Sequence, residues 1–378
     1  MSQPERAAAP SRFPALTGPT VSFGFNLERV PGQGEDADPI LRDGRDLGLI
    51  GVFDGMGGAG GTVYDTPDGR RSGAYLASRL ARDVVERRML DLLEPEWNLN
   101  GRAAAEDLQR SVQKALVECL QELSPAPSAL RSKLLRALPT TMALVALQRE
   151  EPAGPTWAGH VFWAGDSRAY VFEPDGAHQL TTDDIRDGSD AMANLRQDSI
   201  VGNAMCADAD FHVNYRKVKL RSPFILVAAT DGCFGYVRTP MHFEHMFLRT
   251  LQGAGDAESW SSALQAEIEA MTGDDAAMSA LAVGASFEGF KSLFEDRTDK
   301  LGKRFTAPLD QLDQEIARAE QELEALRGRR EVQATKLWRE YQARYERYLH
   351  DHQAPTGEEH EDDEDDDETT EVDRGHAP

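Results

Sequence analysis

Four short acidic motifs stand where a fold could bring carboxylates together. Asp54 and Gly55 close the apolar run LGLIGVF and open DGMGGAGG, while Asp231 and Gly232 close FILVAAT. Asp274 and Asp275 lead into MSALAV, and Glu35 and Asp36 precede the first strand pair. An Asp at the end of a buried strand lies at a sheet rim, where several strands can aim carboxylates at one point. The Gly that follows lets the chain turn sharply and lets its carbonyl approach a metal. Acids gathered in this way repel one another by about 4 kcal/mol per pair at ~4 Å and an effective dielectric near ~20, so a cation has to neutralise them. No cluster of His or Cys accompanies them, which points to hard, oxygen-liking Mg2+ or Mn2+ rather than zinc. Taken singly, each motif also has an ordinary structural reading. A strand-ending Asp-Gly is a turn, an Asp-Asp is a helix cap or loop, and DGMGGAGG as a phosphate cradle lacks the Lys of a P-loop.

The elements that must position these acids are legible as short apolar runs bounded by Gly, Asp or Pro. Strands are expected at 47–53, 141–147, 161–163, 169–172, 224–229 and 278–283. Between the first two, residues 72–93 carry Tyr75, Leu76, Leu80, Val84 and Met89 at helical spacing, and 103–123 carry Leu108, Val112, Leu116 and Leu120. Helices inserted between grouped strands imply an α+β domain whose sheets are covered by helices. Beyond Phe287 the character changes. Leu309, Leu312, Ile316, Ala319, Leu323 and Leu326 alternate three- and four-residue steps, falter at Arg330 and Gln333, and resume at Leu337, Tyr341, Tyr345 and Tyr348. Forty residues of such helix would be about 60 Å long. Its apolar stripe needs a partner: a second copy as a coiled coil, the body of the protein, or another protein such as a kinase or adaptor.

The net charge of the 378-residue chain is −24, and twelve acids against a single Arg fall between Gly357 and Pro378. That segment cannot bury enough apolar area to fold. The remaining body is moderately acidic, which argues against a broad nucleic-acid face. Cys119, Cys206 and Cys233 are scattered and odd in number, as suits a reducing cytoplasm rather than a disulfide framework. The first 18 residues contain no apolar h-region, and no run is long enough to span a membrane. The expected organisation is a flexible start at 1–18, a catalytic domain at 19–290, a helical and possible coiled-coil arm at 291–352, and a disordered acidic tail at 353–378.

In order along the chain, GED (34–36), VFDGMGG (52–58), AGDSRAYVF (164–172), AATDG (228–232) and GDDAAMSALAV (273–283) resemble the metal-dependent type 2C, or PPM-type, protein phosphatases in their bacterial form. The resemblance runs over roughly residues 20 to 287, with LPTTMALVAL and LTTDD as lesser echoes. It implies a four-layer α-β-β-α sandwich of two mainly antiparallel sheets flanked by helices, followed here by the long C-terminal helix. It implies two divalent cations, Mn2+ or Mg2+, with Asp54 bridging both and the Gly55 carbonyl on one. Glu35 would bind the second, with Asp36 ordering metal-bound water, and Asp231 and Asp274 would bind the first. Asp166 matches an acid used for a weaker third metal, against a structural role for its turn. Ser167 and Arg168 would hold that turn together, and Cys233 would be a small buried residue beside the Asp-Gly turn.

Departures from the family pattern are Met56 in place of a His, Pro31 in place of a phosphate-gripping Arg, Gly235 in place of an acid, Asp184 in place of a His, and Ala277 in place of Thr or Ser. Arg29, two residues before Pro31, is the candidate phosphate ligand. The implied activity is direct hydrolysis of phosphoserine and phosphothreonine by a metal-activated water, with a phosphoprotein substrate and a cognate kinase. An inactive phosphoprotein-binding module and a hydrolase of small phosphorylated metabolites are the alternatives.

Overall fold

The computed structural model describes residues 21–44, 46–67, 69–93, 99–123, 136–151, 153–185, 192 and 201–349. The expected flexible start and the acidic tail lie outside these residues. The chain divides into two compact units, between Leu309 and Asp310.

The first unit opens with strands β1 (Val21–Leu27), β2 (Ile40–Asp43) and β3 (Leu47–Val52), then a ribbon of β4 (Val63–Thr66) and β5 (Gly69–Ser72). Helices α1 (Gly73–Leu92) and α2 (Gly101–Glu122) follow, then β6 (Met142–Arg149), β7 (Thr156–Ala164), β8 (Arg168–Glu173), β9 (Gly176–Gln179), β10 (Asn214–Arg221) and β11 (Phe224–Ala229). A short helix α3 (Asp231–Phe234), helices α4 (Pro240–Gly253) and α5 (Ala257–Met271), strand β12 (Ala276–Val283) and helix α6 (Phe287–Leu301) complete it. One sheet has the order β1-β12-β11-β8-β9 and the other β10-β7-β6-β3-β2. Every neighbouring pair is antiparallel.

Strand alternation builds the layers, because successive side chains point to opposite faces. In β6, Met142, Leu144 and Ala146 pack with Val85, Met89, Leu108 and Val112 of α1 and α2. Ala143, Val145 and Leu147 pack instead with Leu226 and Ala228 of β11 and with Leu281 of β12. On the far face of the first sheet, Ile225 and Val227 meet Phe247, Trp260, Ile268, Phe290 and Phe294 from α4, α5 and α6. Three apolar cores therefore separate four layers, helix–sheet–sheet–helix. Both faces of β11 are covered, which is why FILVAA is apolar throughout, whereas β10 lies at an edge and reads NYRKVKLR. Side chains cap the helices: Ser72, Asn100 and Ser286 accept backbone N–H groups at α1, α2 and α6, and Asp256 forms a capping box with Ser259 at α5.

A π-helical turn, Gly302–Thr306, joins α6 to helix α7 (Ala307–Tyr345). The α7 helix carries no buried residue, and Leu312, Ile316, Leu323, Leu326, Leu337 and Tyr341 are all about half exposed. No helix among the described residues is long and apolar enough to cross a membrane.

Candidate metal centre

The strand ends converge at one edge of the sandwich. Ala229 at the end of β11 is in register with Met278 of β12 and with Arg168 at the start of β8. Val52 at the end of β3 pairs with Ala143 of β6, whose neighbour Met142 pairs with Ala164 at the end of β7. The loops leaving this edge line a cavity of about 540 Å³. Glu35, Asp54, Asp166, Asp183, Asp231 and Asp274 all face it, together with Gly55 and Gly57. Six acids from separate stretches of the chain thus share one opening. They ring it rather than close on a single point, since no three of these acids, each offering one oxygen, bring those oxygens within 4.8 Å of one another.

Glu35 is held from four sides. Its N–H donates to Asp275 Oδ2 at 2.6 Å, and its carbonyl accepts from Ser78 Oγ at 2.5 Å and Arg79 Nη1 at 3.3 Å. Its Oε1 accepts from the hydroxyl of Ser72, the residue that caps α1. A side chain at Gly57 would overlap Glu35 Oε2, and one at Gly55 would overlap the Glu35 carbonyl, so the glycines of DGMGG are the space in which Glu35 sits. The Asp54 backbone is fixed by LPTT: its carbonyl accepts from Thr141 N at 2.9 Å and Thr140 Oγ1 at 2.6 Å.

Asp231 heads α3, and a side chain at Gly232 would overlap the Asp275 carbonyl, which brings the β11 end against the β12 start. Asp36 lies behind the cavity wall, 2% exposed, with Oδ2 accepting from Thr230 Oγ1 at 2.9 Å. Arg29 is exposed and is not among the lining residues; its N–H donates to Asp275 Oδ1 at 2.8 Å, and its charge only partly offsets the upward shift that burial gives Asp274. The carboxylate of Asp275 therefore clasps the 29–35 loop at both ends, a role the adjacent pair of acids did not advertise.

The Asp166 turn is built in the same way. Ser167 Oγ meets Thr141 Oγ1 at 2.6 Å, and Arg168 grips Asp183 through Nε and Nη2 at 2.9 and 2.6 Å, with both side chains only 4% exposed. Asp184 Oδ2 accepts from the N–H of Gly165 and from the amides of Asn203 and Asn214. Ser167 and Arg168 hold the turn, as expected, and Cys233 is buried beside the Asp231 turn.

The electrostatics are those of crowded acids. Burial pushes up the Asp54 and Asp231 carboxyls well above the usual range; Asp231 charge adds to the first, and Asp166 charge to the second. Burial raises Asp36 to about 7, and burial with Asp183 charge raises Asp166 to about 6. Glu35 and Asp274 are shifted upward as well, again chiefly by burial. The Oδ1 atom of Asp166 is buried without a hydrogen-bond partner. Arg168 is the one basic side chain lining the cavity among the described residues, and Asp183 already engages it. A donor set of carboxylates alone, mutually repelling and with an orphaned oxygen, fits hard divalent cations.

Two mainly antiparallel sheets between helical layers, followed by a long C-terminal helix, define the fold of a PPM-type phosphatase. Residues 37–271 match the family described as protein phosphatase 2C, and the chain belongs to that family, the PPM-type phosphatases. Glu35, Asp36 and Asp274 fall just outside the matched stretch; the geometry brings Glu35 and Asp274 to the rim and Asp36 behind it. No curated protein sequence matches the chain. Among solved structures, the chain is similar to the serine/threonine phosphatase PstP/Ppp of Mycobacterium tuberculosis, with 14% identity, 70% of this chain and 99% of that one covered, and a TM-score of 0.48. For Stp1 of Staphylococcus aureus the figures are 18%, 72%, 97% and 0.48. For the catalytic domain of PstP in complex with two manganese ions they are 16%, 70%, 99% and 0.45.

Proposed function

We propose that the chain is a protein serine/threonine phosphatase that hydrolyses phosphoserine and phosphothreonine directly. Membership of the protein phosphatase 2C family supports the reaction class, and the observation that carries it is the ring of acids around one cavity. In this reading Glu35, Asp54, Asp231 and Asp274, with the Gly55 carbonyl, hold two divalent cations, Mn2+ or Mg2+. Bound there, the cations supply Lewis acidity that makes a water nucleophilic near neutral pH and neutralises phosphoryl oxygens. Asp54, close enough to Asp231 to feel its charge, would be shared by the two cation sites. Asp36, hydrogen bonded to Thr230, orients the water from behind. The unpartnered Oδ1 of Asp166 suits a third, weaker cation. Arg29, exposed beside Asp274, offers positive charge to the phosphate. Cys233 is buried and takes no chemical part. The substrate is a phosphorylated protein, which implies a kinase that supplies it.

One observation favours a second reading, a phosphoprotein-binding module without turnover: the lining Arg168 is occupied by Asp183, and Pro31 stands where the family grips phosphate. Release of phosphate from a phosphothreonine peptide, measured with Mn2+, with EDTA and in Asp231→Asn, separates the two. Metal-dependent hydrolysis abolished by the substitution supports the phosphatase. Peptide binding without turnover under either metal sinks it. Faster turnover of small phosphate esters than of peptides would move the substrate class.

A further inference from the structure

We propose that α7 is a self-association surface that pairs antiparallel with α7 of a second copy of this chain. At 39 residues it is about 58 Å long, and no side chain on it is buried. Leu312, Ile316, Leu323 and Leu326 continue into Leu337 and Tyr341 along the helix, each 47–55% exposed. A stripe of this kind in water is covered by another apolar surface.

Charge identifies the occupant and its direction. From Asp310 to Leu326 the helix carries six acids and one base, Arg318; from Arg327 to Tyr345 it carries six bases and two acids. Antiparallel pairing sets the acidic half of each copy beside the basic half of the other, while parallel pairing sets acids beside acids and bases beside bases. Complementing the helix macrodipole does not account for the pattern, because that effect fades within the first and last turns, whereas this separation extends to the middle of the helix. A helix with opposite halves is its own complement, so the chemistry points to a second copy. A partner of a single charge sign would be attracted by one half and repelled by the other.

The test uses the full-length chain. Light scattering and sedimentation should give the mass of a dimer that weakens in 1 M NaCl, as screening requires. Leu323→Gln with Leu326→Gln, which keeps helix propensity, should raise the dissociation constant at least about 100-fold. Spin labels then read the direction, in a Cys119→Ser background because Cys119 is the half-buried cysteine, Cys206 and Cys233 being buried. Labels at Gly328→Cys should lie within about 20 Å of each other across the pair, whereas labels at Gln314→Cys should lie about 40 Å apart. A monomer at tens of micromolar, a dimer indifferent to the double Gln substitution, or short distances at both labelled positions would each overturn the proposal.

Discussion

Chelation should turn the acid cluster against the fold, with a pH signature that Asp36 makes measurable. Asp36 is 2% exposed and burial, followed by Asp275 charge, raises its carboxyl to about 7. In the unfolded chain the same group titrates near ~3.9. Between those values the native protein holds a proton that the unfolded chain has released, so stability falls as pH rises through the window. The slope is up to about 1.4 kcal/mol per pH unit, about 4 kcal/mol in all. His160 acts in the opposite sense. Burial lowers it to about 4, so its contribution is present above the unfolded value near 6.5 and is lost as pH falls towards 4.

The two effects mask each other in a simple pH scan but separate in a comparison with Asp36→Asn. That variant keeps an acceptor for Thr230 and leaves His160 untouched. Calorimetric melting in EDTA at pH 5, 6 and 7 should show wild type losing about 2 kcal/mol relative to the variant, or ~4–8 °C for a domain of this size. The charge removed also relieves Asp54 and Asp231, which adds in the same direction. Saturating Mn2+ at pH 7 should restore the wild type by more than the variant. Equal pH slopes for the two proteins in EDTA would show that Asp36 titrates like an exposed acid and would refute the reasoning.

Other consequences test single contacts. Gly57→Ala pushes Glu35 off its position, so catalytic efficiency should drop by about 100-fold and the Mn2+ requirement should rise, whereas Gly58→Ala, with nothing within 4 Å of its Cβ, should behave as wild type in both assays. Asp275→Ala removes charge-assisted bonds from two backbone amides, worth about 3 kcal/mol together; urea unfolding should register the loss, and Asp275→Asn, which keeps one acceptor, should recover part of it. Arg168→Ala strands the buried Asp183 carboxylate and should cost about 3–5 kcal/mol in the same measurement; a loss below ~1 kcal/mol would mean that the pair is hydrated.

What could be read from the residues follows physical lines. The runs at 47–53 and 224–229 stood out because strands covered on both faces are apolar at every position, and they became β3 and β11 within a residue. Edge strands gave no such signal: β10 alternates polar residues and β2 spans four residues, ILRD, so neither was anticipated. Helices α4 and α5 also went unread, although Thr239-Pro240 and Asp256 with Ser259 are start signals that could have found them. At the rim, the strand-ending Asp54 and Asp231 were legible only in company with the other acidic motifs and in their order along the chain, because a lone Asp-Gly after an apolar run also makes an ordinary turn. Asp275 was not, since nothing in residue type separates it from Asp274. The chain's course separates them: Asp274 lines the cavity, while Asp275 reaches the amide of Glu35, 240 positions away in the sequence. Residue type announces which groups can do chemistry. Which of two identical neighbours does it, and which holds the other side of the site in place, depends on contacts that form only when distant segments meet.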